Sequence, residues 1–220
     1  MHGNLTYGQQ YGATTAQDRT RTLFGQTMGL VALTAALFAL GSYAGRNLSH
    51  GAAIVAYVVA IVLLLVMRFA ARRSAVASTV LLMIFGAAMG VGSAPVLVYY
   101  ASANPQILWQ AGGATALFVA AFGTIGYVTR RNLLRLARVS FIALLLLLVF
   151  GIVLIFVHIP HGSLIYAVLG LVIFAGLTMV DFQRLRRSQG LNSAPLLAAS
   201  IFLDALNVFF FFLRIFAREN

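Results

Sequence analysis

The chain has no cysteine and no lysine, and only four acidic residues among 220. Without cysteine it has neither a disulfide nor a thiolate metal site. Without lysine it has no amine for a Schiff base, which excludes the retinal proteins, a class otherwise suggested by many apolar spans with acids inside them. Charged residues make up 9% of the chain and hydrophobic ones 61%, whereas a soluble domain carries roughly 25% charge. Catalytic signatures are missing as well. No HExxH, CxxC, phosphate-binding loop or Gly-x-Ser-x-Gly occurs, and Ser, His and Asp fall in no triad-like setting. No enzymatic activity and no cofactor are expected.

Long apolar runs dominate what is present. Seven stretches, 22–44, 52–69, 75–100, 109–128, 139–157, 164–183 and 196–214, are each long enough to cross the roughly 30 Å hydrocarbon core of a bilayer. They predict an all-α integral membrane protein whose seven transmembrane helices form one domain over 21–220, with the lipid bilayer as its solvent. Residues 1–20, MHGNLTYGQQYGATTAQDRT, are polar and rich in Gly, Gln and Thr. They lack the basic and short apolar regions of a cleaved signal, so they read as a flexible cytoplasmic tail before an uncleaved first span.

The net charge is +11, and all fifteen residues of the Lys+Arg class are arginine. A basic soluble chain would suggest nucleic acid. Here the arginines sit in short loops between spans, which is the positive-inside bias, and no nucleic-acid partner is expected. Arg19 and Arg21 lie in the tail, Arg68, Arg72 and Arg73 in the second loop, Arg130, Arg131, Arg135 and Arg138 in the fourth, and Arg184, Arg186 and Arg187 in the sixth. The first loop has only Arg46, and the third and fifth have none. The tail and the even-numbered loops are therefore expected in the cytoplasm. Pro195 to Arg214 can cover roughly 27 Å as a helix, and we read it as a full span. That leaves Arg214 and Arg218 on the far side, where the bias does not call for them. A segment that dips in and returns would restore the pattern.

Small residues punctuate the third span in "GAAMGVGSAP" and the fourth in "AGGATA". Both read as sites of close helix packing, with a hinge beside a pathway as the sharper reading. His158 and His161 flank Ile159–Pro160 in the fifth loop. They read as solvated loop residues, with pH sensing on the outer side as the alternative.

Asp18 and Glu219 lie near the chain ends, so Asp181 and Asp204 are the acids in or near apolar spans. An Asp at the centre of a spanning helix costs about 2.5–3.5 kcal/mol on insertion scales. Such a residue needs a partner, water or a task. If the sixth helix continues to Ser188, Asp181 stands about 10 Å from the turn; if the seventh begins near Pro195, Asp204 stands about 13 Å in. Antiparallel neighbours joined through Gly190 and Asn192 would thus hold the carboxylates at similar depth. Thr178, Asp181, Arg184 and Ser188 share one helical stripe, and Asp204, Asn207, Phe211 and Arg214 another. Two carboxylates close together in low dielectric share a proton more cheaply than both ionise. Protonated, the pair would join the two helices; ionised, it would repel and attract a cation or guanidinium. The simpler reading pairs Asp181 with Arg184 or Arg187, and Asp204 with Asn207 or a facing Thr.

"VDFQRL" resembles the Asp-x-Gln motif that ends the sixth helix in the Bax inhibitor-1 family, "FLDALNVFFFFLRIF" resembles that family's last helix, and "FGTIGYVTRRNL" the end of its fourth. The resemblance is specific over 177–215 and weaker over 120–135. It implies a seven-helix fold with the last helix central and the other six around it, and a pH-sensitive calcium leak. The family's paired aspartates fall on Asp181 and Asp204, its motif amide on Gln183 and its asparagine on Asn207. Phe182 stands where a Thr is usual. A basic residue ending the second helix pairs with the acids in some members. The register here falls in "RFAARR", on Arg72 first and Arg68 next.

The expected function is a proton-regulated cation leak, calcium first, in a prokaryotic inner membrane. Asp181 and Asp204 would be sensor and gate and would hold calcium weakly in transit, with Arg72 or Arg184 as the charge that swaps partners. Calcium takes about six to eight oxygens, and these residues with Asn207 fall short of a storage cage. The rival expectation is a membrane interaction protein that restrains a partner such as a membrane-bound protease, with the N-terminal tail as its contact.

Overall fold

A computed structural model of the protein describes residues 4–188 and 193–219, with side chains from Arg21 to Ser188 and from Ser193 to Arg218. The described chain is helical: α1 (Asn4–Ala44), α2 (His50–Ala70), α3 (Ala75–Ala103), α4 (Pro105–Val128), α5 (Leu134–Phe156), α6 (Gly162–Arg187) and α7 (Ala194–Glu219), with a short 3-10 turn at Gly45–Asn47. All seven helices are long and apolar enough to cross a membrane, the first over Arg21–Asn47 and the last over Ala194–Arg218. Helix α1 itself reaches back to Asn4, through most of the segment read as a tail. Helix α7 is continuous, so the full-span reading of the seventh segment stands over the dipping one.

Local chemistry sets the helix ends. Ser49 and Ser74 cap α2 and α3 by accepting from the amides of Ala52 and Ala77. Asn104 caps α4 by accepting from Gln106, with Pro105 in the first turn where its missing N–H costs nothing. Several helices outrun their apolar windows: α4 starts at Pro105 rather than 109, and α5 at Leu134 rather than 139. The residues gained by α5 include Arg135 and Arg138; arginine is a good helix former, and its long stem lets the charge reach water from the end of a buried helix. Hydropathy therefore ends before the hydrogen bonding does. Gly190 and Asn192, read as the turn between α6 and α7, lie outside the described residues.

Helix α7 packs against α1, α2, α3, α4 and α6, and half of its most apolar window is buried, against 11% for α5. It is the central helix the resemblance implies. The sixth neighbour differs from that expectation, because α5 packs against α6 and stays on the outside. Its sequence is apolar all round (LRLARVSFIALLLLLVFGIVLIF), which suits contact with lipid on most sides. Helices α1, α2 and α3 form one wall, α4, α5 and α6 the other, and α7 fills the space between.

The glycines of α3 do what close packing requires. A Cβ at Gly90 would run into the Phe38 carbonyl on α1, so only glycine lets the two backbones meet there. Gly112 and Gly113 correct the parallel reading of "AGGATA", since a Cβ at either meets nothing within 4 Å. Gly90→Ala should therefore cost about 1–3 kcal/mol by overpacking. Gly112→Ala, on an exposed part of α4, should be neutral or gain up to about 1 kcal/mol of helix propensity. Thermal unfolding of the two variants in one detergent separates them. Equal melting temperatures would remove the packing role from Gly90.

Candidate functional site

The polar residues of α6 and α7 meet over one stretch of their antiparallel contact. Asp181 is 5% exposed and Asp204 6%, although both lie in apolar helices. Asp181 is held on both oxygens: Arg184 Nη1 donates to Oδ1 at 3.1 Å, and the Ser200 hydroxyl of α7 donates to Oδ2. Ser200 is thus level with Asp181. Asp204, one turn further along α7, is level with Thr178, close enough to interact yet outside hydrogen-bond geometry. Neither Thr178 Oγ1 nor Asp204 Oδ2 has a hydrogen-bond partner.

This register refines the expected contact. The two carboxylates lie within electrostatic reach of each other, but the hydrogen bond across the helices runs from Ser200 to Asp181 rather than from one acid to the other. Equal distances from the turn put the acids at similar depth only to within about one helical turn, roughly 5 Å. That remainder decides which α7 residue meets Asp181.

Of the arginines considered, Arg184 is the one that pairs. Its bridge to Asp181 is the only ion pair among the described residues, and its side chain is 62% exposed. Arg72 and Arg68 stand on the wall of a cavity of about 700 Å³ that Asp181, Arg184, Ser193 and Ser200 also line. One carboxylate and three guanidiniums thus border this space. Asp204 sits behind it, with Ser200 and Leu203 of its own helix on the wall.

Gln183 and Asn207 have other partners. Gln183, 4% exposed, donates through Nε2 to Thr129 O at 3.2 Å and Arg131 O at 2.8 Å, and its Oε1 accepts from Leu133 N at 3.0 Å. It ties α6 to the α4–α5 loop. Arg186 adds a bond to Thr129 O at 2.6 Å. Asn207 donates to Leu203 O at 2.8 Å within α7. Phe182, at the position where the motif has Thr, lies against Gly123 of α4, where a Cβ would meet its ring at 2.9 Å.

Two polar residues are added by the structure. Ser200 carries the hydrogen bond between α6 and α7, and its position four residues before Asp204 on the same stripe was a readable signal. Thr27 of α1 is fully buried, and its Oγ1 has no hydrogen-bond partner. Leu23 and Leu30, one turn to either side of it, pack with Ile201 and with Phe202 and Leu206 of α7. Thr27 therefore faces the turn that carries Asp204. No local pattern in α1 marks it.

As chemistry, the site offers carboxylate and hydroxyl oxygens on the wall of a cavity and just behind it. Among the described residues no group of three His, Asp or Glu side chains could hold a metal ion. What the acids can do is take a proton or attract a passing cation.

Residues 20–220 match the family described as inhibitor of apoptosis-promoting Bax1. The chain is 30% identical over 178 residues to a membrane protein of Streptococcus pyogenes serotype M3, covering 78% of this chain and 75% of that one. It is 29% identical over 162 residues to the inner membrane protein YbhL of Escherichia coli K12, covering 67% and 66%. A Helicobacter pylori protein is 28% identical over 137 residues, covering 61% and 59%. With seven spanning helices, the last of them central and carrying a buried aspartate, and a match that runs through all of them, the chain belongs to the Bax inhibitor-1 family of membrane proteins.

Proposed function

We propose that the protein is a pH-sensitive cation leak, with calcium as the permeant ion, rather than an enzyme. The observation that carries this reading is the placement of Asp181 on a cavity wall with Asp204 one turn deeper, buried and holding an unpaired oxygen. Protons and cations compete for the same carboxylates, so occupancy by one excludes the other. Arg68, Arg72 and Arg184 oppose cation entry from the cavity side, which makes the flux slow, as befits a leak. The few available oxygens suit transit of calcium and not storage. The positive-inside bias puts this arginine-bordered end in the cytoplasm with the N-terminus, and the likeness to YbhL favours an inner membrane.

The test is calcium flux from purified protein in vesicles across about pH 5 to about pH 8. Falling pH protonates the carboxylates, removes the cation site and lets α6 and α7 close. Flux should therefore rise with pH. Flux that is absent or flat with pH overturns the reading.

A further inference from the structure

A second cavity lies at the opposite end of the bundle and takes no part in the aspartate site. Its volume is about 1060 Å³, and Asn104, His158, His161, Tyr166, Arg214 and Arg218 are on its wall. These residues come from the α3–α4 junction, the α5–α6 loop, α6 and the last turns of α7. Arg214 and Arg218 are four residues apart, so they project from one face of α7 into the same space. No described carboxylate lines the cavity. Asp181 and Asp204 belong to the other end of α6 and α7.

The basic groups are positioned by each other. Arg214 lies over the Tyr166 ring, 5.0 Å from its centroid. Arg218 Nη2 lies 3.1 Å from His161 Nδ1. A guanidinium can only donate, so Nδ1 is the acceptor and the proton of the neutral ring is on Nε2, available as a further donor. His161 is the residue that caps α6, and its φ of 58° places it in the left-handed region, the only non-glycine residue there among those described. Holding a residue in that conformation carries a steric cost, and here it accompanies the contact with Arg218. Tyr99, Tyr100 and Ser163 add hydroxyls, and the rest of the wall is apolar, with Leu148 and Ile152 of α5 on one side and Ile107 of α4 on another.

Arg214 and Arg218, with Arg46, are also the arginines that the positive-inside bias leaves unaccounted for. A charged, donor-rich wall beside an apolar one is what a phosphate group with a lipid-like neighbour requires. We infer that this cavity binds a phosphate group, through Arg214, Arg218 and His161, with His158 beside them. A phospholipid headgroup and free phosphate offer the same chemistry.

The experiment uses full-length protein in an uncharged detergent, titrated separately with inorganic phosphate, a short-chain phosphatidylglycerol and the matching diacylglycerol, with binding read by calorimetry. Saturable binding of phosphatidylglycerol or inorganic phosphate, with none of the diacylglycerol, is expected, and whichever ligand binds identifies the source. Arg214→Gln with Arg218→Gln should weaken it by at least about tenfold. Arg218→Gln alone, an exposed change, keeps the test open if the double variant does not fold, and should weaken binding severalfold. Binding of neither phosphate ligand, equal binding of the diacylglycerol, or wild-type affinity in Arg218→Gln would each overturn the inference.

Discussion

Asp204→Asn is expected to flatten the pH profile of calcium flux. In wild type, flux should change by about tenfold or more across about pH 5 to about pH 8. In the variant it should vary by less than about twofold and stay near the wild-type acid level, since the amide is neutral at every pH. Asn is nearly isosteric, so packing around Phe202 and Leu206 is kept. The amide keeps an oxygen to face Thr178 and brings no buried charge, so the variant should melt no lower than wild type. Lost pH dependence with retained stability is the signature of a gating residue. A variant profile that overlays wild type would remove Asp204 from the mechanism, whatever the protein conducts.

Arg184→Gln carries the second large effect, in the opposite direction. The cavity is bordered by three guanidiniums and one carboxylate, so a divalent cation entering it is repelled. Removing one unit charge at about 8 Å, with an effective dielectric of about 60, favours the cation by about 1.4 kcal/mol, or roughly tenfold. Calcium flux should rise by that factor at low ionic strength and by less as salt screens the mouth. Arg68→Gln and Arg72→Gln should act in the same direction. Stability should hardly move, because the Arg184 side chain is 62% exposed and such pairs contribute little. Unchanged flux in all three variants would mean that ions do not pass this cavity.

The parts of this molecule that could be read in its sequence are those whose cause is local. Seven spans follow from apolar length, and Asp181, Asp204 and Arg184 stand out because acids are rare and Arg184 lies one turn from Asp181. What depends on helix register was not readable. Ser200 rather than Asp204 meets Asp181 because of an offset smaller than the uncertainty of any helix end. Gln183 carries the motif position expected beside the acids, yet it serves the α4–α5 loop, fifty residues away in sequence from Leu133. Gly90 and Gly112 look alike on paper and differ because α1 crosses one and nothing crosses the other.

The position of α7 at the centre bears on how the protein is made. The helix on which five of the others pack leaves the ribosome after all six. Until it arrives, α1, α2 and α3 on one side and α4, α5 and α6 on the other meet mainly where α3 touches α4 and α1 touches α6. Folding after insertion must therefore hold those two walls apart, or loosely joined, until residues 194–219 thread between them. A chain interrupted before Ala194 keeps six apolar spans able to enter the bilayer and loses the helix on which five of them pack.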